Sequence, residues 1–574
     1  MDYSIKICGE AGQGIQTIGG TIAKVFSRTG YYVFTHQDYE SRIRGGHNFY
    51  QIRFSDVPVT ASRHNIDILV SLDREGITLH ERELKDTGIL VYDSKALRYS
   101  PAGKDQNHLD IPFESLALRH GGDRIMSNIV AVGSILGMLG MDLDILLGII
   151  RDTFKKKGEG VIKANADSAI AGYHFAVENC PRCSFALNAK GKPRMLINGV
   201  EAIGLGALGS GCKFYVAYPM TPSTGIMNFL AEKAFEYSLV VEQAEDEIAA
   251  INMAIGASFA GVRSMTGTSG GGFALMVEGL SLAGMTETPV VIALGQRPGP
   301  ATGFPTRTEQ GDLNFALYTA HGEFPRIIFA PGSPEQAFYL TNKAFDLAEK
   351  YQVPAIILFD QYLADSEWTF EGLDITRLRF NDYRLRFENL KDLKEYKRHA
   401  FTDTGVTPFA VPGESRHVVV TDSDEHDEEG HIIEDAETRT MMVEKRLFKK
   451  IPFIQKEIAP PSLYGDIDAE IVLVCWGSSY GIVKECVDML SFRYKIAMLH
   501  FSEIWPFPLT DQFDYMKILR DSKLSICIEQ NATGQFARLI RTETGHVFDR
   551  RINRYDGRPF TVDTLMAKIE EILQ

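Results

Sequence analysis

Apolar runs long enough to cross a bilayer, ~20 residues, are missing from this sequence. Positive charge is in short supply. Lys and Arg number 60 against 75 Asp and Glu, a formal net charge of -15, which argues against a nucleic acid partner. Cysteine is scarce and odd in number, seven in 574 residues and mostly in apolar surroundings. That usage suits a reducing cytoplasm better than a disulfide framework. The start, Met1-Asp2-Tyr3-Ser4-Ile5-Lys6-Ile7, runs straight into a strand pattern without a signal-peptide core. No short internal repeat or low-complexity tract occurs. What is present is ordinary for soluble globular protein, 44% hydrophobic and 24% charged residues. A chain this long exceeds one core, so roughly three or four domains are expected.

The chain reads as α/β throughout. Ile5-Lys6-Ile7-Cys8 predicts a strand, Ile15 to Arg28 a helix, and Tyr32-Val33-Phe34-Thr35 the next strand. Ile66–Val70 and Gly88–Tyr92 continue the strand series, and helical apolar spacing dominates from Asn128 to Phe154. Such alternation predicts a doubly wound, Rossmann-like sheet over 1–190, linker included. The polar stretch Lys155–Gly160 reads as leading into that linker. A second α/β domain is expected over 195–365, with strands at Cys212–Ala217, Pro289–Leu294 and Pro354–Phe359. Residues 366–464 look irregular, with an acidic stretch at Asp422–Glu429 and a basic, helix-like piece at Lys445-Arg446. A last α/β domain, 465–574, opens on Glu470–Cys475.

The first glycine loop, Gly9-Glu10-Ala11-Gly12-Gln13-Gly14, has the spacing GxxGxG and not the dinucleotide GxGxxG. Glycines between a strand and a helix let backbone N–H groups approach a phosphate. The same pattern also serves a tight turn with no ligand. Arg44-Gly45-Gly46-His47 could add a cationic, backbone-exposed loop, or be a turn only. Cys180-Pro181-Arg182-Cys183 invites a metal, but no second CxxC completes a four-ligand set. A two-ligand share of a joint site stays open. His426 and His431 in the acidic segment fit no metal spacing and read as part of a solvated loop.

The second domain is richer in signals. Tyr218-Pro219-Met220-Thr221-Pro222-Ser223-Thr224 follows a strand, its prolines stiffening a turn whose hydroxyls can face a ligand. Val240–Glu247 then opens a small-residue helix running to Gly261, with four carboxylates ahead of an apolar segment. One of the four is expected close to a buried surface, where desolvation raises a carboxyl pKa. The bland alternative is acid at a helix N-terminus, which the dipole favours anyway. Thr266–Gly272 and Gly295–Gly303 also end strand-like segments, and Arg297 has the chemistry to bind a carboxylate bidentately. Four polar loops after successive strands of one domain point to a single crevice.

Taken together, YPMTPST, EDEIAAINMAIGASFAG, TGTSGGG and GQRPGPATGFPTRTEQGDL closely resemble the alpha subunit of 2-oxoacid:ferredoxin oxidoreductases. The likeness continues through His321–Arg326, DEHDEEGH, Cys475-Trp476-Gly477-Ser478, Trp505-Pro506-Phe507-Pro508 and Glu529–Gln535. GEAGQGI and SRIRGGHN resemble the family's gamma domain, fused in front of alpha as in the 2-oxoglutarate synthase type. The resemblance implies a Rossmann-like gamma domain, then a pyrimidine-binding thiamine diphosphate fold, then a domain like the transketolase C-terminal one. Glu247 matches the glutamate that hydrogen-bonds the aminopyrimidine ring and so promotes loss of the thiazolium C2 proton, with Tyr218 and Pro219 beside the cofactor. Thr221 matches a threonine at the reacting centre, and Arg297 with Thr306 matches residues that hold the 2-oxoacid carboxylate.

The implied reaction is oxidative decarboxylation of a 2-oxoacid with coenzyme A, electrons leaving to ferredoxin. Thiamine diphosphate would be shared with a beta subunit, expected to carry Mg2+ and [4Fe-4S], in an (αβ)2 assembly. This chain shows neither a cluster-type cysteine run nor a GDG…NN diphosphate element. Gly9, Gly12, Gly14, Arg44, Gly45 and Gly46 form a possible coenzyme A or phosphate loop. By overall resemblance the expected substrate is 2-oxoglutarate, with pyruvate or a branched-chain 2-oxoacid as alternative. Two other readings remain open: a non-oxidative, transketolase-like thiamine enzyme, and a coenzyme A- or nucleotide-binding protein using mainly the N-terminal loop.

Overall fold

Ile5, Ile7 and Cys8 are shut off from solvent because the strand that carries them, Asp2–Glu10, lies inside its sheet with neighbours on both edges. In the computed structural model, which describes residues 1–42, 45–100, 107–180, 183, 185, 187 and 191–574, that sheet has eight strands. Their order is Asn107–Asp110, Leu84–Tyr92, Ile66–Ser71, Asp2–Glu10, His47–Ser55, Tyr32–Asp38, Trp368–Phe370 and Met195–Ile197. Pairing is parallel from Asn107–Asp110 through Asp2–Glu10 and antiparallel beyond it, so half the sheet is of the doubly wound kind and half is not. The helices Ile15–Thr29, Ser127–Met138 and Leu143–Phe154 carry Ile18, Ile22, Val132, Ile135 and Ile149 into one core with Ile5, Ile7, Ile52 and Val70. Burial of each such side chain contributes about 1.5–3 kcal/mol.

The first compact unit gathers Met1–Ile197, Ser366–Gly372 and Thr561–Gln574. The second gathers Asn198–Asp365 and Leu373–Phe560. This division cuts the chain differently from the four expected segments. Trp368–Phe370, expected in the irregular stretch, is a strand of the first unit's sheet, and the last helix, Val562–Leu573, returns to that unit. Lys155–Gly160 does not lead into a linker, because the 21-residue helix Glu159–Asn179 begins there.

In the second unit a seven-stranded sheet runs Glu503–Trp505, Ile327–Phe329, Pro354–Asp360, Val290–Gln296, Ser264–Ser269, Phe214–Ala217, Val240–Gln243. Every pairing is parallel except that of Glu503–Trp505. A five-stranded sheet, Ser462–Gly465, Ile496–Phe501, Ile471–Trp476, Leu524–Glu529 and Arg550–Asn553, is parallel apart from its first strand. The two sheets are not independent domains. Ile292, Leu294, Ile328 and Ile356 share one apolar cluster with Val474, Trp476, Leu499 and Phe536.

The helix expected from Val240 begins later. Val240–Gln243 is an edge strand, and the helix is Glu247–Phe259, capped by Asp246, whose Oδ1 accepts from Ala249 N at 2.7 Å. β-branched Val240 and Val241 favour the strand, and a capping aspartate must stand outside the helix it caps.

The stretch 373–464 has little regular structure before a helical run over 436–457, which includes Lys445 and Arg446, but it is firmly tied down. Lys445 and Lys450 direct their ammonium groups onto the fully buried Glu287, as does the ring of His399. Arg398, also buried, donates to Glu287 O at 2.7 Å and Thr286 O at 3.2 Å. Burial by itself raises the Glu287 carboxyl; Lys445, Lys450 and His399 outweigh it and hold Glu287 well below the usual carboxylate range. The acidic segment is likewise no free solvated loop. His426 is fully buried with its ring 4.0 Å from that of His399, and Glu425 pairs with Arg446 and Arg439.

Candidate active site

Four loops leave the carboxyl ends of neighbouring parallel strands in the second unit, the place where open α/β sheets hold ligands. They are 218–223, 244–246, 270–276, which opens with the short helix Gly270–Phe273, and 297–312. Small residues let them close on one another. A Cβ on Gly295 would stand 2.6 Å from Pro222 Cγ, and one on Gly270 2.7 Å from Asp312 Oδ2. A Cβ on Gly272 would collide with Glu247 Oε1 and Thr268 Oγ1.

Glu247 is 3% exposed, and its Oε1 has no hydrogen-bond partner. Thr266 Oγ1 and Ser269 Oγ, both of the strand Ser264–Ser269, and Asp312 Oδ2 are buried and unpartnered in the same way. An unpaired buried polar atom costs about 1–3 kcal/mol, so the unpaired Glu247 Oε1 marks a surface shaped for something that pairs with it. Thr221 and Arg297 come together: Arg297 Nη1 donates to Thr221 O at 2.9 Å. Arg297 is half-buried, its pKa lowered by burial and partly restored by Asp312. Tyr218 is 39% exposed at the rim, with Pro219 half-buried after it. Thr306 is half-buried in the loop that begins with Arg297 and folds back where Phe304 N donates to Pro298 O at 3.1 Å.

Two acidic groups in that loop escaped the sequence reading. Burial pushes the Asp312 carboxyl up to about 6, against the pull of Arg297. Burial and the charge of Asp312 push Glu309 up to about 7. Both lie inside the TEQGDL stretch, but only the fold brings Asp312 against Gly270 and Glu309 under the charge of Asp312. Gln310, between them, locks the loop to the five-stranded sheet. Its Nε2 donates to Trp476 O at 2.8 Å, its Oε1 accepts from Gln530 N at 2.9 Å, and its carbonyl accepts from Asn531 Nδ2 at 3.2 Å.

In the first unit, Gly12 (φ 93°) and Gly14 (φ 76°) are left-handed, conformations that glycine adopts without strain. Gly9 faces Leu72, where a Cβ would stand 3.0 Å from Leu72 Cβ. Cavities of about 320 and 390 Å3 flank this loop. Gly45 (φ 70°) and Gly46 (φ 80°) are also left-handed, whereas Arg44 lies outside the described residues. A chain of contacts not foreseen from sequence joins His47 Nε2 to His80 Nε2 at 2.7 Å and His80 Nδ1 to Glu83 Oε1 at 2.7 Å. Cys180 and Cys183 are joined in a disulfide, which removes them as thiolate ligands; the remaining five cysteines are buried and outside any disulfide. Asp427, Glu429 and His431 bring ligand atoms within 4.8 Å of one another. Asp427 Oδ1 closes that turn by accepting from Glu429 N and His431 N. Among the described residues, no helix is long and apolar enough to cross a membrane.

Comparison with known proteins identifies the family. Residues 205–445 match the family described as pyruvate flavodoxin/ferredoxin oxidoreductase, thiamine diphosphate-binding. Residues 4–175 match pyruvate ferredoxin/flavodoxin oxidoreductase. A 2-oxoacid:ferredoxin oxidoreductase alpha subunit from a Sulfolobus species is 33% identical over all of this chain and 97% of its own length. The 2-oxoglutarate synthase subunit KorA of Archaeoglobus fulgidus is 35% identical over 54% of this chain and 82% of its own. Among solved structures, 2-oxoglutarate:ferredoxin oxidoreductase from Magnetococcus marinus, with 2-oxoglutarate, coenzyme A and succinyl-CoA bound, superposes with a TM-score of 0.90 at 30% identity, covering both chains completely. With such identity along its whole length, the chain belongs to the alpha subunits of the 2-oxoacid:ferredoxin oxidoreductases, oxidoreductase subunits with a thiamine diphosphate-binding domain.

Proposed function

We propose that this chain supplies the aminopyrimidine side of a thiamine diphosphate site and the 2-oxoacid contacts of a 2-oxoglutarate:ferredoxin oxidoreductase. The reaction takes 2-oxoglutarate, coenzyme A and two oxidised ferredoxins to succinyl-CoA, carbon dioxide, a proton and two reduced ferredoxins. The single observation that carries the reading is Glu247 Oε1, buried and without a partner at the carboxyl end of a parallel sheet. A carboxylate left so needs a donor, and the protonated ring nitrogen of an aminopyrimidine is one. The bound cofactor supplies a carbon nucleophile and an electron sink.

The remaining roles belong to this chain's own side chains. Glu247 holds the ring and favours its proton-accepting tautomer. Tyr218 and Pro219 wall the site, and Thr221 donates its hydroxyl to the substrate. Arg297, tied to the Thr221 carbonyl, and Thr306 hold the 2-oxoacid carboxylate. The loop of Gly9, Gly12 and Gly14, with Gly45 and Gly46, receives coenzyme A, whose phosphates its left-handed glycines let approach the backbone. A beta subunit completes the cofactor site with Mg2+ and a [4Fe-4S] cluster in an (αβ)2 assembly, and ferredoxin accepts the electrons. The preference for 2-oxoglutarate rests on the names of the KorA relatives and on the ligands of the Magnetococcus structure.

The test is to co-express the chain with a beta subunit bearing cluster cysteines and to follow coenzyme A-dependent dye reduction with a panel of 2-oxoacids. The expected result is highest kcat/KM with 2-oxoglutarate. Preference for pyruvate or a branched-chain 2-oxoacid would overturn the substrate. Full turnover by the isolated chain would overturn the shared site.

A further inference from the structure

Asp312 is tied to the residue before Arg297, because its backbone N–H donates to Gln296 Oε1 at 3.1 Å. Its carboxylate lies against Gly270, in space that only a glycine at that position leaves open. Oδ2 is buried without a hydrogen-bond partner, and among the described residues no cation lies within ion-pair distance. The charged groups acting on this corner are Arg297, which favours the ionised form of Asp312, and Glu309, which feels Asp312 as a like charge. Within the loop 297–312 the Asp312 carboxylate therefore acts on the Arg297 guanidinium, and Glu309 acts on Asp312. A 2-oxoacid carboxylate binding to Arg297 adds a negative charge beside the buried Asp312 carboxylate, and like-charge repulsion opposes the ionised form of Asp312.

We propose that Asp312 is a positioning residue for Arg297, its carboxylate balancing the guanidinium before substrate binds and taking up a proton from solvent when a 2-oxoacid carboxylate takes over that role. The only bond formed is O–H on Asp312, and no electrons move. Substrate binding is then linked to proton uptake, and affinity falls as pH rises. The upward displacement of the Asp312 carboxyl to about 6 puts this linkage near neutral pH. The inference rests on reading Arg297 as the carboxylate anchor.

The experiment uses the assembled enzyme and N-oxalylglycine, a 2-oxoglutarate isostere whose amide carbonyl resists attack. Its inhibition constant is measured against pH, and its binding heat in two buffers of different ionisation enthalpy. For the wild type, the constant is expected to rise about fivefold or more between pH ~6 and ~8, with a measurable fraction of a proton taken up. Asp312→Asn should bind more tightly at the alkaline end, with a flat profile and no proton uptake, while Glu309→Gln keeps the wild-type slope. Wild-type binding without proton uptake overturns the proposal, whether or not a variant folds. So does an Asp312→Asn enzyme that keeps the slope, or a Glu309→Gln enzyme that loses it. Asp312→Ser serves where Asp312→Asn does not assemble. Arg297→Ala separates the two readings. If it binds N-oxalylglycine as well as wild type, the anchor assignment fails. If it binds weakly while Asp312→Asn keeps its slope, only the proton linkage fails.

Discussion

Glu247 and Gly272 share one space: the Oε1 of the glutamate lies where a Cβ on the glycine would project, with Thr268 Oγ1 beside it. The glycine at 272 is therefore a requirement of the glutamate's position. Gly272→Ala is expected to displace the Glu247 carboxylate and lower turnover about 100-fold or more, since misplacing a reacting group by an ångström carries a cost of that order. Overpacking should cost about 1–3 kcal/mol in stability. Steady-state kinetics and thermal melting of the assembled enzyme read both quantities. A variant with wild-type kcat would mean that Glu247 needs no fixed position.

Glu247→Gln keeps the shape of the side chain and removes its charge. In the assembled enzyme, exchange of the thiamine C2 proton for deuterium should slow about 100-fold or more, the scale of a lost acid–base group. Subunit assembly, followed by gel filtration, should be unaffected. Exchange at the wild-type rate would refute the role assigned to Glu247.

Glu287 anchors Lys445, Lys450 and His399 in the interior. Glu287→Ala leaves two ammonium groups without their carboxylate, a change of about 3–5 kcal/mol for a broken buried pair, and denaturant unfolding should show it. The pH dependence has one sign for two groups. Glu287 is held well below its ordinary carboxylate value, so its contribution is present above about 4.5 and is lost as pH falls through its folded value. His399 is driven well below 6.5 by burial, against the pull of Glu287, so the folded state resists its protonation and loses stability as pH falls below about 6.5. Wild type should therefore weaken steadily from mildly to strongly acid pH, and His399→Gln should lose the upper part of that dependence. An unchanged profile in His399→Gln would remove the histidine from the account.

Gln310→Ala leaves Trp476 O and Gln530 N without their partner in a buried site. Each lost partner costs about 1–3 kcal/mol. Because the same residue positions the loop that carries Arg297 and Asp312, KM for the 2-oxoacid should rise together with the loss of stability. A variant that melts early but keeps wild-type KM would show that the loop holds its shape without the clamp.

Much of this was legible before any coordinates. Strands at Val290–Gln296 and Pro354–Asp360 follow from short β-branched apolar runs bounded by Pro and Gly, which read the same way in any context. The loops after Ala217, Ser269 and Gln296 could be placed at one crevice because parallel strands put their carboxyl ends on one side. Local pattern failed where neighbours far along the chain decide. Val240–Gln243 was read into a helix, although pairing with Phe214–Ala217 makes it a strand. The last helix, Val562–Leu573, was placed in the C-terminal domain, although Val562 N donates to Ser62 O and Asp563 accepts from His64 N in the first unit. The acidic segment looked solvated because charge runs usually are, and nothing local reveals that His426 packs its ring, tilted, against that of His399.

By itself, the sequence determined the α/β class, the series of polar loops, and the motifs that set Glu247, Thr221 and Arg297 in one domain. These depend on residue types within a few positions of each other, and such short-range preferences survive in any fold. The tertiary structure alone decided which polar atoms stay unpaired, that Asp312 faces Gly270 and feels Arg297, and that Glu287 binds lysines more than 150 residues away. Burial and charge coupling are properties of atoms within a few ångströms, and only the folded chain sets those distances.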